Sequence, residues 1–290
     1  MAKLKATKNV TKKKEDAIAG VVDQIEAESM RTLNTEVEVG EDGIVHDVPL
    51  LAGYVDENGT LHSTFSYREM TGKDEEALNK GDVRANGGKL VNVLCERCVV
   101  QIGTLTKKDV GQVKWGQIIR SMLGGDLDYM AFKIREVSKG SEVWFSHKCP
   151  DCGAKLRTAI KCSEFPIKPF MGQYQVEFSL FRGYKDRKGN VYTEGVCRLP
   201  NGADREIVYP YFKKNASTAT SLLMTRLVSF GEGVMVTQND ISEMSLRDRG
   251  IIEDIMKDNA FGISMDGIDD IVCTNCGTLI DGSTGQTDFL

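Results

Sequence analysis

The chain has 290 residues, of which 41% are hydrophobic and 27% charged, and this is enough for two domain-sized cores. The formal net charge of -5 and the pI near 5.4 argue against a general polyanion-binding protein, because affinity for phosphate backbones depends on clustered Lys and Arg. A protein partner is therefore expected. No stretch reaches the roughly 20 apolar residues that cross a bilayer, and the first residues lack the apolar core of a signal peptide, so we expect the protein to stay in the cytoplasm where it is made.

The N-terminal segment, residues 1–39, is predicted to be a basic tail followed by an amphipathic arm. Six lysines lie within residues 1–14, with almost nothing to bury. From Glu15 onward the apolar residues fall near helical spacing: Ile18, Val21, Val22, Ile25, Met30 and Leu33. This helix could pack on its own domain, or it could be an arm that docks on a neighbouring subunit.

Two segments of the chain resemble each other and are typical of β-hairpins. The pattern Gly-Tyr-x-Asp-x-x-Gly begins at Gly53 and again at Gly183. An Asp followed three positions later by Gly favours a tight turn, because the carboxylate caps the turn and glycine accepts a positive φ. Each segment therefore predicts strand, turn and strand.

Further features follow in the same order after both hairpins. Each hairpin is followed by an apolar helix, around Leu94 and Leu223, and then by a second helix with Asp126 or Asp248 placed as its N-cap. Gly140 and Gly262 are expected to end those helices. The sequence thus predicts an α+β protein of two tandem pseudo-repeats, residues 40–165 and 172–284, with a C-terminal tail at 285–290 that looks disordered.

Each pseudo-repeat ends in a Cys-x-x-Cys-Gly motif, which is typical of a metal-binding knuckle. A knuckle supplies two thiolates, whereas zinc takes four ligands in a tetrahedron. Because the two motifs are about 120 residues apart, one shared site would join the two units. A metal site that closes so long a loop of the chain is expected to stabilise the fold most. We predict one structural zinc per chain, bound by Cys149, Cys152, Cys273 and Cys276.

The other cysteines are predicted to be structural. Cys95 and Cys98 align with Met224 and Leu227 on a helix, so they are read as buried thiols, with metal binding left as the alternative. The remaining candidates are likewise placed in strands or core: Cys162, Cys197 and His147.

Catalytic classes have little support in the sequence. The three histidines are far apart, a catalytic zinc would need an open coordination position, and the run Asp74 to Glu76 is typical of a solvated helix start. A thiol redox enzyme would need a Cys-x-x-Cys at the start of a helix, and neither knuckle precedes one. A zinc-knuckle nucleic-acid-binding protein remains an alternative, supported by Lys148, Lys155 and Arg157 and opposed by Asp269 and Asp270.

Several segments resemble the baseplate-protein family of contractile-tailed bacteriophages and related contractile injection systems. The resemblance is carried by residues 53–62, 67–78, 94–103, 126–135 and 149–152. Members of that family are baseplate hub components or hub-assembly factors, so the resemblance implies a virion tail protein that binds other tail proteins and has no catalytic activity. It also implies a homo-oligomer or ring in the particle. The second unit matches more loosely, and its residues 198–204 depart from the first unit's residues 68–74.

Overall fold

The structure is a computed structural model, and it describes residues 38–186, 188–231, 234–264, 270–282 and 286–287. The predicted basic tail and amphipathic arm, residues 1–39, lie outside the described residues except for 38 and 39. Among the described residues, no helix is long and apolar enough to cross a membrane.

The first half of the protein, residues 44–168, combines two antiparallel sheets with six helices among its described residues. Its strands are β1 Ile44–Val55, β2 Leu61–Arg68, β3 Val99–Ile102, β4 Leu105–Thr106, β5 Glu142–Lys148, β6 Lys155–Lys161 and β7 Ile167–Lys168. Its helices are α1 Gly72–Leu78, α2 Gly81–Arg84, α3 Gly87–Cys98, α4 Lys107–Val110, α5 Gln112–Ser121 and α6 Gly124–Lys139.

The second half, residues 175–287, follows a similar order. Its strands are β8 Gln175–Lys185, β9 Val191–Arg198, β10 Val228–Ser229, β11 Gly262–Ile263, β12 Ile271–Val272, β13 Leu279–Ile280 and β14 Gln286–Thr287. Its helices are α7 Gly202–Phe212, α8 Ala216–Leu227, α9 Gln238–Glu243 and α10 Leu246–Asp258. The predicted mixture of helices and strands is confirmed.

Both predicted hairpins are present. β1 pairs with β2, β8 pairs with β9, and each pairing is interrupted before the Tyr of the turn motif. At these interruptions Gly53 has φ +78° and Gly183 has φ +85°, which is a conformation that side chains disfavour. A Cβ on Gly53 would also lie 2.9 Å from the carbonyl oxygen of His62. The glycines therefore allow the strand to bulge close to its partner.

A buried aspartate holds each bulge in place. Asp126 Oδ1 accepts hydrogen bonds from the amides of Leu51 at 2.7 Å and Ala52 at 3.1 Å. Asp248 accepts from the amides of Phe181 at 2.6 Å and Arg182 at 3.1 Å. The sequence prediction that these aspartates are N-caps is wrong.

The N-caps of these two helices are instead Leu123 and Ser245, three positions earlier. Each aspartate is the third residue of its helix, and from there its carboxylate reaches the amides of the hairpin. The helix ends differ too, since α6 ends before Gly140 as predicted, whereas α10 ends at Asp258 and is capped by Asn259. Gly262 is not a helix stop, because it lies in β11, which pairs with β7 of the first half.

A second buried aspartate in each half is held by two arginines. Asp74 is 1% exposed and lies 2.7 Å from both Arg68 Nη1 and Arg97 Nε. The prediction of a solvated face is therefore wrong for Asp74, because the carboxylate turns inward to fix the first turn of α1 against β2 and α3. Burial would raise the pKa of Asp74, but hydrogen bonds from Arg68, Thr71 and Arg97 outweigh burial and lower it.

Asp204 has the same surroundings in the second half. Arg198 Nη1 approaches it at 2.6 Å and Arg226 Nε at 2.7 Å. Residues 198–204 depart from residues 68–74 in sequence, yet both segments place an arginine, a helix cap and a buried aspartate at the same spacing. The departure therefore leaves this contact unchanged.

The two halves have separate cores and a direct contact. One apolar cluster includes Phe65, Leu94 and Trp115, and another includes Phe178, Met224 and Ile252. Between the halves, the Asn92 side-chain amide donates to the carbonyl of Gly202 at 3.0 Å, and Arg205 pairs with Asp128 at 2.8 Å. Helix α7 thus packs on α3 of the first half.

The C-terminal residues also contact the first half. β14, Gln286–Thr287, pairs with β5 opposite Ser146 and Phe145. The sequence suggested a disordered tail here, whereas this strand extends the sheet to the order β14-β5-β6. The sheet is the one from which the first Cys-x-x-Cys motif emerges.

Candidate metal centre

The first knuckle is the turn between β5 and β6. The amide of Cys149 donates to the carbonyl of Ala154 at 2.9 Å, and the amide of Gly153 donates to the carbonyl of Cys149 at 3.0 Å. Gly153 has φ +71°, so glycine is the residue that closes this turn without strain. The turn brings Cys149 and Cys152 to one side of the hairpin.

The second knuckle, between β12 and β13, has the same hydrogen bonds. The amide of Cys273 donates to the carbonyl of Thr278 at 2.8 Å, and the amide of Gly277 donates to the carbonyl of Cys273 at 2.9 Å. Gly277 has φ +79°. Both glycines therefore have the role that the Cys-x-x-Cys-Gly spacing predicts.

The two knuckles meet, and the four predicted sulfur atoms form one cluster. The Sγ atoms of Cys149, Cys152, Cys273 and Cys276 all lie within 4.8 Å of one another. The contacts between the halves are 3.6 Å from Cys149 to Cys276 and 3.7 Å from Cys152 to Cys273. A tetrahedron with metal–sulfur bonds of about 2.3 Å has edges of about 3.8 Å, whereas a disulfide bond is about 2.05 Å long. The four free cysteines thus have the spacing of a tetrahedral thiolate site.

The cluster is half enclosed. Cys149 and Cys273 are buried against Ile280, while Cys152 and Cys276 are exposed. Hydrogen bonds from the Asn275 side chain and the Ala154 amide lower the pKa of Cys152 to about 6. Hydrogen bonds from the side chain and the amide of Thr278 lower the pKa of Cys276. These donors favour the thiolate forms of Cys152 and Cys276, and the thiolate is the form that binds metal. At Cys149 the Cys152 amide lowers the pKa, but burial and the neighbouring thiols outweigh it and raise the pKa to about 11.

A polar contact outside the sulfurs also joins the knuckles. The Thr278 hydroxyl lies 2.7 Å from Asp151 Oδ2 and 3.2 Å from Cys276 Sγ, and its single proton is donated to one of these acceptors at a time. This pair and Asn275 were not predicted from the sequence. A signal was available, because Asp151 and Asn275 occupy the same position within the two motifs.

The other cysteines lie outside the cluster, as predicted. Cys95 and Cys98 are fully buried in α3, and burial raises the pKa of Cys98 to about 11. Cys197 is a core residue of β9, where burial raises its pKa to about 11. Cys162 is also buried, but it begins a 3-10 turn after β6 and is not a strand residue. None of these thiols belongs to the group of four sulfur atoms that lie within 4.8 Å of one another.

His147 lies in β5, as predicted, and it is not part of the sulfur cluster. Its ring is 6% exposed and stacks on Phe145, with the centroids 6.3 Å apart. Neither ring nitrogen has a hydrogen-bond partner among the described residues. It therefore packs beneath the knuckle and supplies no fifth ligand atom to the cluster.

The fold and the sulfur cluster together indicate the class of protein. Four thiolates fill the tetrahedral coordination of a metal such as zinc, and none of the four positions remains open for a substrate or a water. Both knuckles continue into strands and not into a helix, which a redox Cys-x-x-Cys would need. The fold and the cluster are those of an α+β protein with a candidate structural metal site.

A comparison with protein-family models finds a match to part of the chain. Residues 55–186 match the model of the T4 bacteriophage base plate protein family. The resemblance to a phage baseplate protein is thereby confirmed, and the family suggests a structural role in the tail or baseplate. No curated protein and no solved structure matches the chain.

Proposed function

We propose that the chain is a structural component of the hub region of a contractile, phage-type tail baseplate, where it binds neighbouring tail proteins without catalysis. The observation that carries this proposal is the family match over residues 55–186, which spans most of the first half and the first strand of the second. A metal bound by all four sulfurs would have no open coordination position, which is in keeping with a structural role.

Two diverged copies of one unit, residues 40–165 and 172–284, would account for the recurring contacts. Asp74 and Asp204 are held by arginines at matching positions, and Asp126 and Asp248 hold matching bulges. Most of these residues are separated by 129 or 130 positions, and the aspartates of the bulges by 122. The first unit is longer at β4 and α4, which accounts for the change in offset.

One zinc ion per chain at Cys149, Cys152, Cys273 and Cys276 would join the two units. The donor set favours this metal, because soft thiolates in a tetrahedron suit zinc. Metal analysis of the purified full chain should give about one zinc per chain in the wild type and none in the Cys273→Ser, Cys276→Ser double variant. Retention of zinc by that variant would contradict the ligand set.

A matched control is available in the first unit. The Cys95→Ala, Cys98→Ala double variant also removes a Cys-x-x-Cys pair, but this pair is buried in α3 and lies outside the cluster. It should keep its zinc, although it loses stability in the core.

The role in the particle is tested by quantitative mass spectrometry of purified tails against the unassembled protein of the same lysate. Recovery at a fixed small copy number is the expected result for a permanent baseplate component. Recovery in the unassembled pool alone would instead favour an assembly factor that is absent from the mature particle. Absence from both would contradict a tail function.

A nucleic-acid-binding function is the second candidate, because one exposed sheet face beside the first knuckle is basic and aromatic. Lys148 lies opposite Lys155 across the β5–β6 pairing, and Arg157 stacks over the Trp144 ring at 4.6 Å. Bases can stack on such a surface while the cations contact phosphates. Filter binding with a single-stranded oligonucleotide would favour this function if affinity falls steeply with salt.

A further inference from the structure

One surface of the second half is exposed although its counterpart in the first half is covered. The surface consists of Phe181, Arg182, Leu246 and Arg247, and we call it the Phe181 surface. Phe181 is 62% exposed and Leu246 is 86% exposed. The hydrogen bonds from Phe181 and Arg182 to Asp248 hold the strand bulge beside the start of α10, so these residues form one continuous patch.

The same place in the first half is buried by another part of the chain. Leu51 and Ala52 are contacted by Asp126 in the same way, and they are only 5% and 2% exposed. Ala52 packs with Phe170, and the Tyr174 hydroxyl donates to its carbonyl at 2.8 Å. The first half is thus covered by the stretch immediately before the second hairpin, together with Leu199 and Phe261.

The chemistry of the Phe181 surface is that of a binding site for an apolar and acidic segment. Arg247 stacks over the Phe181 ring with its Cζ 3.8 Å from the centroid, and both Arg182 and Arg247 are exposed. Exposed aromatic and arginine side chains held together in this way are typical of the centres of protein interfaces. A matching segment would bring aliphatic side chains for Phe181 and Leu246 and carboxylates for the arginines.

The stretch before the first hairpin has this composition. Residues 15–33 contain the apolar residues at helical spacing noted above, together with Glu15, Asp16, Asp23, Glu26 and Glu28 and a single cation, Arg31. They lie outside the described residues. The undescribed stretches elsewhere in the chain have at most five residues each, which is too short to cover the patch.

We propose that residues 15–33 of this chain dock on the Phe181 surface, as residues 170–174 dock on the first half. The inference goes beyond the proposed baseplate role and does not depend on it. Apolar side chains of the segment would cover Phe181 and Leu246, while its carboxylates pair with Arg182 and Arg247.

Photo-cross-linking of the purified full chain tests this proposal. A benzophenone amino acid is placed at position 246 and irradiated, and the cross-linked peptides are identified by mass spectrometry. Cross-links to residues 15–33 are expected, whether within one chain or between copies. The matched control carries the same amino acid at Val113, which is 79% exposed in the first half and should give no cross-link to that segment.

A variant of the segment separates docking from accidental proximity. Ile18→Asp with Val22→Asp should lower the cross-linking yield at position 246 at least about tenfold, because two apolar side chains leave the contact. The circular dichroism spectrum should show that the fold is kept. An unchanged yield, or cross-links that map only outside residues 15–33, would overturn the proposal.

Discussion

Replacing Asp126 by Asn is expected to change how stability depends on pH. Burial raises the pKa of Asp126 to about 7, although the amides of Ala52, Leu51 and Gly53 act in the opposite direction. Only Oδ1 has hydrogen-bond partners, since Oδ2 has none among the described residues. The Asn side chain keeps an oxygen for the two amides of the bulge but cannot ionise.

The size and sign of this change in stability follow from the difference in proton binding between the folded and unfolded states. The folded-state pKa of about 7 exceeds the ordinary value of 3.8, so the folded state binds the proton more tightly. The contribution of protonated Asp126 to stability is complete below its pKa in the unfolded state, and it is lost as the pH rises toward its pKa in the folded state. A difference of about three pH units corresponds to about 4 kcal/mol, of which about 3 kcal/mol would be lost between pH 5 and pH 8.

Urea denaturation of the wild type and of Asp126→Asn at pH 5 and pH 8 measures this effect. The wild type should lose about 3 kcal/mol relative to the variant over this range. Groups that both proteins share, including the cysteines, cancel in the difference. Parallel stability profiles for the two proteins would refute the assignment of the titration to Asp126.

The matched control is Asp248→Asn. At Asp248 both oxygens accept hydrogen bonds, because the Arg182 amide and the Ser245 hydroxyl donate to Oδ2. The amide group of Asn would place a donor against these donors, so this variant should be destabilised at pH 8 by about 1–3 kcal/mol.

Three further predictions concern packing and charge. Asp74→Ala should lower the free energy of unfolding by about 1–3 kcal/mol, because Arg68 and Arg97 lose their shared partner but remain partly hydrated. Ala at the exposed Glu76 should change it by less than about 0.5 kcal/mol. Urea denaturation at pH 7 compares the two variants, and equal losses would contradict the role of Asp74. Gly125→Ala should destabilise by at least about 2 kcal/mol, since a Cβ there would lie 2.5 Å from the Phe261 carbonyl oxygen, and thermal unfolding is the measurement. Gly250→Ala, where a Cβ meets nothing within 4 Å, should instead stabilise α10 by about 0.5–1 kcal/mol, and a loss of stability there would contradict the open space around it.

Local chemistry made part of this structure predictable from sequence. The hairpins follow from the spacing of Asp and Gly in their turns, and the knuckles from Cys-x-x-Cys-Gly, because both depend on residues within a few positions. The meeting of the four cysteines was predictable for a different reason. Zinc needs four ligands, so two isolated pairs imply one shared site.

Other features depended on partners far away in the chain. Asp126 resembles an N-cap in sequence, yet its hydrogen bonds reach the amides of residues 51 and 52. Asp74 lies among exposed acidic residues in the sequence, but it is buried in the structure, where Arg97 of α3 pairs with it. The local sequence does not reveal this contact. Arg205 and Asn92 contribute to the packing of α7 between the halves. No periodic pattern in the sequence predicts this packing.

The proposed metal site is complete only after both knuckles have been synthesised. Cys273 is made 124 residues after Cys149, which at about 5–20 residues per second is a delay of roughly 6 to 25 s. During that interval the first pair has only two of the four ligands that it needs. A chain that is cut or halted before Cys273 would therefore lack two of the four ligands of the proposed metal site. Metal bound to the protein would then indicate that both knuckles had been synthesised.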